Sequence, residues 1–320
     1  MTQFIAPSFA VQTQRLTKRF DRHMALRDVD LEIPSGAVYG LIGPNGAGKT
    51  TLIRLLALAE PPTCGTVHLF GEQIRYDRPQ TTLQRQLGYL PDDYPLYNDL
   101  SVWDYLDYFA RLYHLKGQHR IRSIHYVLDL VNLGHKRKSR VGELSRGMKQ
   151  RLGLARTVIH SPLLLLLDEP VSGLDPIARQ DFRQVVRNLQ SLGMTILISS
   201  HVLSDLAELC TAIGILEFGY LVESSDLEEL YRKLSRQHIL IGTRGNLADL
   251  QRELRHYSHV QELEETPDAK TVKVEFSGDP DEAADLLRSL IEARIPLCEF
   301  HCEQESLEEI FFKIGHTQTH

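Results

Sequence analysis

The feature that most restricts the fold of this chain is a glycine-rich stretch that ends in a lysine and two threonines. Residues 43–51 read Gly-Pro-Asn-Gly-Ala-Gly-Lys-Thr-Thr and match the phosphate-binding loop pattern G-x-x-x-x-G-K-[ST]. An apolar run at 37–42 precedes the loop and predicts a buried strand, and residues 52–59 predict a helix after it. Strand, loop and helix stand in the required order, so the sequence predicts an α/β fold that binds nucleotide phosphates.

The residues of this loop have separate predicted roles. Gly46 and Gly48 allow backbone N–H groups to turn toward phosphate, and the N-terminus of the following helix adds positive partial charge. Lys49 is expected to reach the β and γ phosphates, and the Thr50 hydroxyl is expected to hold Mg²⁺. The predicted nucleotide contacts in the loop are Asn45, Gly46, Ala47, Gly48, Lys49, Thr50 and Thr51.

A second motif is an apolar strand that ends in two carboxylates. Five leucines at 163–167 are followed directly by Asp168 and Glu169. An acid at the end of such a strand is typical of the magnesium shell of P-loop enzymes, which is the role predicted for Asp168. Glu169 is placed to orient or deprotonate the attacking water. These two motifs alone leave GTPases, motors, recombinases and kinases open.

Further segments distinguish between these classes. Residues 144–152, Leu-Ser-Arg-Gly-Met-Lys-Gln-Arg-Leu, resemble the signature sequence of ATP-binding cassette (ABC) ATPases. Residues 172–176 resemble the D-loop of that family, and 199–201 resemble the segment that carries its switch histidine, here His201. Phe20 stands where the family places an aromatic ring against adenine. The motifs follow the family's order over about residues 11–225.

The signature segment also indicates an anion site on physical grounds. Ser145 and the Gly147 amide open a predicted helix that runs through Arg156, so their donors and the helix dipole favour an anion. The resemblance implies which anion, because in ABC proteins two cassettes dock head to tail and each signature caps the γ-phosphate of the other. It also implies that His201 contacts the γ-phosphate and positions water near Glu169. ATP, Mg²⁺ and a second copy of this chain are therefore the expected ligands and partner.

Two departures from the family pattern are visible. The signature has Arg146 and Met148 where the most cited form has Gly and Gln, but Ser145 and Gly147 are kept, so function is expected to survive. Asp92 stands where the family usually has Gln. A carboxylate has a reach shorter by one methylene and adds negative charge, which puts the usual water-positioning role in doubt. Asp92 is interpreted as a candidate magnesium ligand, acting directly or through water.

Charge and periodicity predict two domains. Residues 236–320 hold nine Lys/Arg and seventeen Asp/Glu, whereas residues 1–235 hold 27 and 25. Residues 1–235 are expected to form an α/β P-loop NTPase core of the ABC ATPase type, with a helical subdomain at about 89–160. Residues 236–320 show the order β-α-β-β-α-β, which predicts a small ferredoxin-like α+β domain for regulation or dimerisation. Cys298 and Cys302 are expected to be buried on one face of its last strand.

Composition excludes several function classes. No apolar run approaches the roughly 18 residues of a membrane-spanning helix, and the first ten residues do not form a secretory signal. Four scattered cysteines fit a reducing compartment, so a cytoplasmic location is expected. Neither half is basic enough to indicate a nucleic-acid partner. The basic segment 136–140 is interpreted as a solvated loop, and contact with lipid headgroups is the alternative. Trp103 is interpreted as a core residue or a subunit contact.

The resemblance implies a transport function. A single cassette without membrane segments is similar to the motor subunit of a bacterial transporter that has separate permease subunits, so it is expected at the inner face of the membrane. Residues 88–115 and 306–311 resemble the subfamily that serves exporters. The leading alternative is a non-transport ABC protein that acts on ribosomes or DNA, and a second is a regulatory module in which the ATPase acts as a switch.

Overall fold

The computed structural model describes residues 7–202, 206–234, 237–266 and 271–304. The chain divides into two compact units, residues 1–228 and 229–320. The predicted boundary after residue 235 falls inside the second unit. Helix α7 (Leu227–Leu234) begins in the first unit and continues into the second.

The first unit contains two sheets and a set of helices. Its strands are β1 (Phe9–Phe20), β2 (His23–Val29), β3 (Glu32–Pro34), β4 (Val38–Ile42), β5 (Cys64–Leu69), β6 (Glu72–Gln73), β7 (Leu87–Leu90), β8 (Leu164–Leu167), β9 (Thr195–Ser200), β10 (Ala212–Glu217) and β11 (Tyr220–Asp226). The helices that precede α7 are α1 (Lys49–Leu56), α2 (Thr81–Gln84), α3 (Val102–Leu112), α4 (Gly117–Leu130), α5 (Arg146–Val158) and α6 (Pro176–Ser191).

The central sheet of this unit has six strands in the order β11-β10-β4-β9-β8-β7. Strands β10, β4, β9, β8 and β7 pair in parallel, and β11 pairs with β10 in the antiparallel sense. Every residue of β4, β8 and β9 is buried, as expected for parallel strands that are covered on both faces. The apolar runs at 37–42 and 163–167 lie in this sheet as β4 and β8, within a residue of the predicted bounds.

A second sheet in this unit is antiparallel, with the order β2-β1-β5-β6 and with β3 paired to β1. One hydrophobic cluster joins it to the central sheet and to α1, and it includes Val11 of β1, Leu52 of α1 and Leu166 of β8. This sheet was not predicted from the sequence, because its strands mix polar and apolar residues and lack a continuous apolar run.

Helices α3, α4 and α5 lie between β7 and β8 in the chain, within the predicted helical subdomain. Helix α3 begins after Ser101, whose hydroxyl accepts a hydrogen bond from the Asp104 amide at 3.1 Å. Its buried residues Val102, Leu106 and Ala110 recur every four positions, so one face packs inward.

The second unit has its own sheet and core. Its elements are β12 (Gln237–Thr243), α8 (Leu247–Leu254), β13 (Val260–Glu265), β14 (Thr271–Phe276), α9 (Pro280–Glu292) and β15 (Leu297–Gln304). The strands form an antiparallel sheet in the order β13-β14-β12-β15. Ile239, Leu250, Val274 and Leu286 are fully buried in its core. The β-α-β-β-α-β order of elements is the one that the sequence predicts.

The predicted burial of Cys298 and Cys302 is wrong, because both residues are exposed. Strand β15 lies at the edge of its sheet, and Phe300 between the two cysteines packs against the core. Residues 306–311, which the sequence analysis compared with exporter subunits, lie outside the described residues.

Candidate nucleotide site

The predicted functional segments follow four neighbouring strands of the central sheet. The glycine-rich loop follows β4, Asp168 and Glu169 follow β8, His201 follows β9, and Asp92 lies two residues beyond β7. Because these strands are parallel, their carboxyl ends meet at one edge, where open α/β sheets bind ligands. The topology therefore brings these separate segments to the same edge of the sheet.

The glycine-rich loop needs glycine at specific points. Gly48 has φ 110°, and a Cβ there would lie 2.4 Å from the carbonyl oxygen of Ala25. Helix α1 starts directly after it, and no side chain in the described part of the molecule caps its first turn. Lys49 is buried, and its Nζ donates to the carbonyl oxygen of Gly43 at 2.7 Å. The loop thus presents uncapped helix amides beside the ammonium group of Lys49, and this combination favours the binding of a phosphate.

Asp168 is almost fully buried and anchors the site. Its Oδ1 accepts hydrogen bonds from the Thr50 hydroxyl at 3.2 Å and the Ser199 hydroxyl at 2.8 Å. The same Ser199 oxygen accepts from the Glu169 amide at 3.0 Å, so one serine orients both acids. The sequence analysis did not single out Ser199. A serine at the end of a buried apolar strand was the signal that could have found it.

The Glu169 carboxylate is held between two other side chains. Its Oε1 lies 3.3 Å from Lys49 Nζ, and its Oε2 lies 2.8 Å from Nδ1 of His201. The backbone of Glu169 has φ 48°, a left-handed conformation that is costly for a residue with a Cβ and is found at functional sites. His201 remains 43% exposed, so its ring borders solvent while it contacts the acid.

A cavity of about 330 Å³ brings together most of the predicted nucleotide contacts. Phe20, which also lines it, is 41% exposed, and Lys18 Nζ lies 4.7 Å from the centre of its ring, so a planar ligand would need the opposite face. Ser145 and Gly147 are not among the described residues that line the cavity. The lining consists of Phe20, His23, Ala25, Pro44, Asn45, Gly46, Ala47, Gly48, Lys49, Thr50, Thr51, Asp92 and Glu169.

Asp92 lines this cavity in an unfavourable electrostatic position. Partial burial, followed by the negative charges of Asp168 and Glu169, raises the pKa of Asp92 above its ordinary value, while Arg146 acts in the opposite sense. A carboxylate that faces two other carboxylates is a position where a bound cation would relieve repulsion.

Replacement of Asp92 by glutamine is expected to leave nucleotide affinity nearly unchanged and to shift the midpoint of a magnesium titration of ATP hydrolysis. The reason is that the substitution removes one negative charge from the cavity while the phosphate-binding loop stays intact. Asp93→Asn is the matched control, since it removes a neighbouring charge that does not line the cavity. An unchanged magnesium titration in Asp92→Gln would place Asp92 outside the metal site.

The signature residues lie at the start of α5. Ser145 caps this helix and accepts from the Met148 amide at 3.3 Å. Gly147 is buried, and a Cβ there would lie 2.7 Å from Cβ of Ala178 in α6. This close approach explains glycine at that position independently of any ligand.

Arg146, one of the departures from the family signature, joins two motifs. Its guanidinium donates to the carbonyl oxygen of Ser172 at 3.0 Å, in the segment that resembles the D-loop. Gly173 in that segment has φ 66°, and a Cβ there would lie 2.5 Å from the same guanidinium. Asp175 then caps α6 by accepting from the Ala178 amide at 2.9 Å. The signature and D-loop segments are therefore in direct contact within one chain.

Tyr94, which the sequence analysis did not identify, links the Asp92 segment to α5. Its hydroxyl donates to the carbonyl oxygen of Lys149 at 3.0 Å, and its ring lies below the guanidinium of Arg156 at 4.9 Å. Gly153 leaves room for the ring, since a Cβ there would lie 2.5 Å from the tyrosine oxygen. Tyr94 thus connects the segment that holds Asp92 to helix α5 by direct contact.

Comparison with known proteins assigns the chain to a family. A family model for the ABC transporter matches residues 26–172. The ABC transporter ATP-binding protein YcbN of Bacillus subtilis is 33% identical over 314 residues, which cover 96% of this chain and 97% of that protein. The chain belongs to the ABC transporter ATP-binding protein family. As a member of this family it is an ATP-binding subunit of a transporter and an ATPase.

Two further comparisons support the assignment of this ABC ATP-binding subunit. The bacitracin transport ATP-binding protein BcrA of Enterococcus faecalis is 37% identical over 227 residues, covering 70% of this chain and 72% of BcrA. The solved structure of an ATP-binding subunit of an ABC transporter superposes with a TM-score of 0.62 at 28% identity, covering 70% of this chain and 92% of the other. Among the described residues, no helix is long and apolar enough to cross a membrane.

Proposed function

We propose that this ABC subunit hydrolyses ATP as a head-to-tail homodimer in which each copy completes the site of the other. The observation that carries the proposal is the position of Ser145 and Gly147. They lie at the N-terminus of α5, where helix amides and the helix dipole favour an anion, yet they lie outside the cavity lined by the glycine-rich loop. A second copy would supply this missing helix terminus to the γ-phosphate.

Magnesium is the metal that fits the residues of this site. Thr50 Oγ1 and Asp168 Oδ1 lie 3.2 Å apart, and Asp92 adds a carboxylate to the same cavity. Magnesium favours hard oxygen ligands and is held by one or two carboxylates together with substrate phosphates. When bound, it would neutralise charge on the phosphates during hydrolysis. The chain's own contribution is to hold the Thr50 and Asp168 oxygens in place through Ser199.

Glu169 is proposed as the group that accepts the proton of the attacking water. Its neighbours Lys49 and His201 fix the two carboxylate oxygens, and Ser199 fixes its backbone amide. His201 is proposed to contact the γ-phosphate and to position the water. Lys49 is proposed to bind the phosphates, and Phe20 to stack on the adenine.

We propose further that the subunit drives an exporter through separate permease subunits at the inner face of the membrane. The similarity to BcrA, a bacitracin transport protein, favours transport over a role on ribosomes or DNA. The cargo would contact the permease and is not determined by this chain. An adjacent reading frame that encodes about six apolar segments of roughly 20 residues would favour transport. Adjacent frames that encode only soluble proteins would favour the role on ribosomes or DNA.

The homodimer is tested by measuring ATP hydrolysis against protein concentration. If two copies complete each site, the rate per chain should rise with concentration until the dimer saturates. The same titration with Ser145→Arg should stay near background, because the variant places a bulky cation at the shared phosphate contact. A rate per chain that is already maximal at concentrations where sedimentation detects only monomer would exclude the shared site.

The second unit is proposed to strengthen or regulate dimerisation. It has its own hydrophobic core. Residues 236–320 hold nine basic and seventeen acidic residues and contain none of the nucleotide motifs. Truncation after Leu234 is expected to retain ATP binding and to shift the concentration dependence of hydrolysis toward higher protein concentration. Identical curves for full and truncated chains would exclude this role. Loss of ATP binding would show that the cut damages the catalytic unit.

A further inference from the structure

A second cavity in the first unit, of about 530 Å³, is made by none of the residues assigned to the nucleotide site. Its volume lies in the range of small-molecule sites, roughly 300 to 1,000 Å³. It combines an indole, an imidazole and two cations in one place. The residues that line it are Ser101, Trp103, His125, Arg137 and Lys138.

Backbone pairing fixes the walls of this cavity. The amide of Trp103 donates to the carbonyl oxygen of Arg137, and the amide of Val102 donates to that of Ser139, both at 3.0 Å. Ser101 and Arg140 form an antiparallel bridge one step further along. The basic loop that precedes α5 is therefore held against the start of α3.

The two cations that line the cavity are available for a ligand. Within the described ranges, neither Arg137 nor Lys138 makes a side-chain ion pair or hydrogen bond, and both are exposed. Two adjacent positive charges without a counterion repel each other, so an anion between them would be stabilised.

The aromatic side chains form a second wall. The Trp103 ring lies edge-on to the His125 ring with centroids 5.0 Å apart, and Trp103 is half-buried. Its indole N–H makes no hydrogen bond to any residue that the structure describes. The wall thus offers an apolar ring face together with one unused donor.

We propose that this cavity binds a phosphate group carried on an apolar or aromatic body. The planar guanidinium of Arg137 can pair with a phosphate in a bidentate manner, and Lys138 adds a second positive charge. Two cations suit a phosphate monoester, which carries nearly two negative charges at neutral pH, better than a singly charged carboxylate. The Trp103 and His125 rings would cover the body to which the phosphate is attached. An anionic lipid headgroup and a soluble organic phosphate share this chemistry, and the two sources are separated by experiment.

The chain offers a built-in reporter, because Trp103 is its single tryptophan. Phenyl phosphate is titrated into the full-length protein without added nucleotide, because ADP is itself a phosphate on an aromatic body, and tryptophan emission is recorded. A saturable change in emission is expected, with phenylacetate as the carboxylate of matched shape binding at least about tenfold more weakly. Vesicles of phosphatidylglycerol, compared with phosphatidylcholine vesicles, test the lipid source.

Two double variants of equal charge decide whether the cavity is responsible. R137A/K138A removes the cations that line it, and K136A/R140A removes two cations of the same loop that do not line it. Thermal unfolding checks that both variants remain folded. The response should weaken at least about tenfold in the first variant and stay close to wild type in the second.

Each outcome bears on the proposal. A response to phosphatidylglycerol vesicles, to phenyl phosphate or to both supports the site and identifies the source. An equal loss of the emission response in both double variants would show that the response depends only on the net charge of the loop, and this would overturn the proposal. Equal response to phenylacetate would overturn the choice of phosphate, and no change with any probe would overturn the site itself. None of these outcomes depends on ATP hydrolysis, so the proposal fails or survives separately from the proposed function.

Discussion

Replacement of Glu169 by glutamine is expected to lower the rate of ATP hydrolysis by about a hundredfold or more while ATP binding is largely retained. The variant keeps the shape of the side chain but removes the group that accepts the water's proton. Lys49, Thr50 and Asp168 remain in place to bind the phosphates and the metal. A steady-state ATPase assay together with a nucleotide-binding titration measures both effects.

The same variant should accumulate as a dimer in the presence of ATP and magnesium, because the step that separates the copies is blocked. Sedimentation with ATP, with ADP and without nucleotide measures the accumulation. Glu72→Gln is the matched control, since Glu72 is an exposed acid of β6 outside the site. Wild-type turnover in Glu169→Gln would remove Glu169 from its proposed role.

Replacement of Lys49 by alanine is expected to weaken ATP binding itself, by about tenfold or more. Lys49 is buried at the start of α1, and its ammonium group lies 3.3 Å from Glu169. Its loss removes the cation that faces the phosphates and leaves the Glu169 carboxylate without its buried partner, which adds repulsion toward ATP. Titration with a fluorescent ATP analogue measures the affinity.

A matched control separates the site from overall charge. Lys116→Ala removes an exposed lysine that precedes α4 and should bind ATP as the wild type does. Thermal unfolding of Lys49→Ala shows whether the variant is folded. Wild-type affinity in a folded Lys49→Ala protein would contradict the assignment of Lys49 to the phosphates.

The parts of the fold that the sequence predicts are those with strong local signals. The buried strands β4, β8 and β9 are continuous apolar runs, and the glycine-rich loop after β4 has a pattern with few structural solutions. Parallel pairing then brings Asp168, Glu169 and His201 to one edge without further information. The antiparallel sheet was missed because the polar and apolar residues of its strands give no such run.

The contacts that sequence reasoning missed are made between distant segments. Ser199 orients both acids, but its role depends on the register between β8 and β9. Tyr94 reaches α5 across about 55 positions of the chain, and Arg146 reaches Ser172 across about 26. The burial of the β15 cysteines was predicted wrongly for a different reason. Strand alternation shows which side chains share a face, but not that β15 lies at the edge of its sheet, where Phe300 packs against the core and the two cysteines stay exposed.

In the proposed dimer, one copy supplies Ser145 and Gly147 to the nucleotide held by the other. The most direct test mixes Lys49→Ala, which has a damaged phosphate loop, with Ser145→Arg, which has a damaged signature. The ATP concentration is kept too low to fill the damaged loop, so that neither variant is expected to hydrolyse ATP alone. A mixed dimer would contain one intact site, formed by the phosphate loop of one chain and the signature of its partner. The mixture is expected to recover ATP hydrolysis, up to about a quarter of the wild-type rate if the copies pair at random. Hydrolysis that stays at the background of the separate variants, at concentrations where the wild type is active, would contradict it.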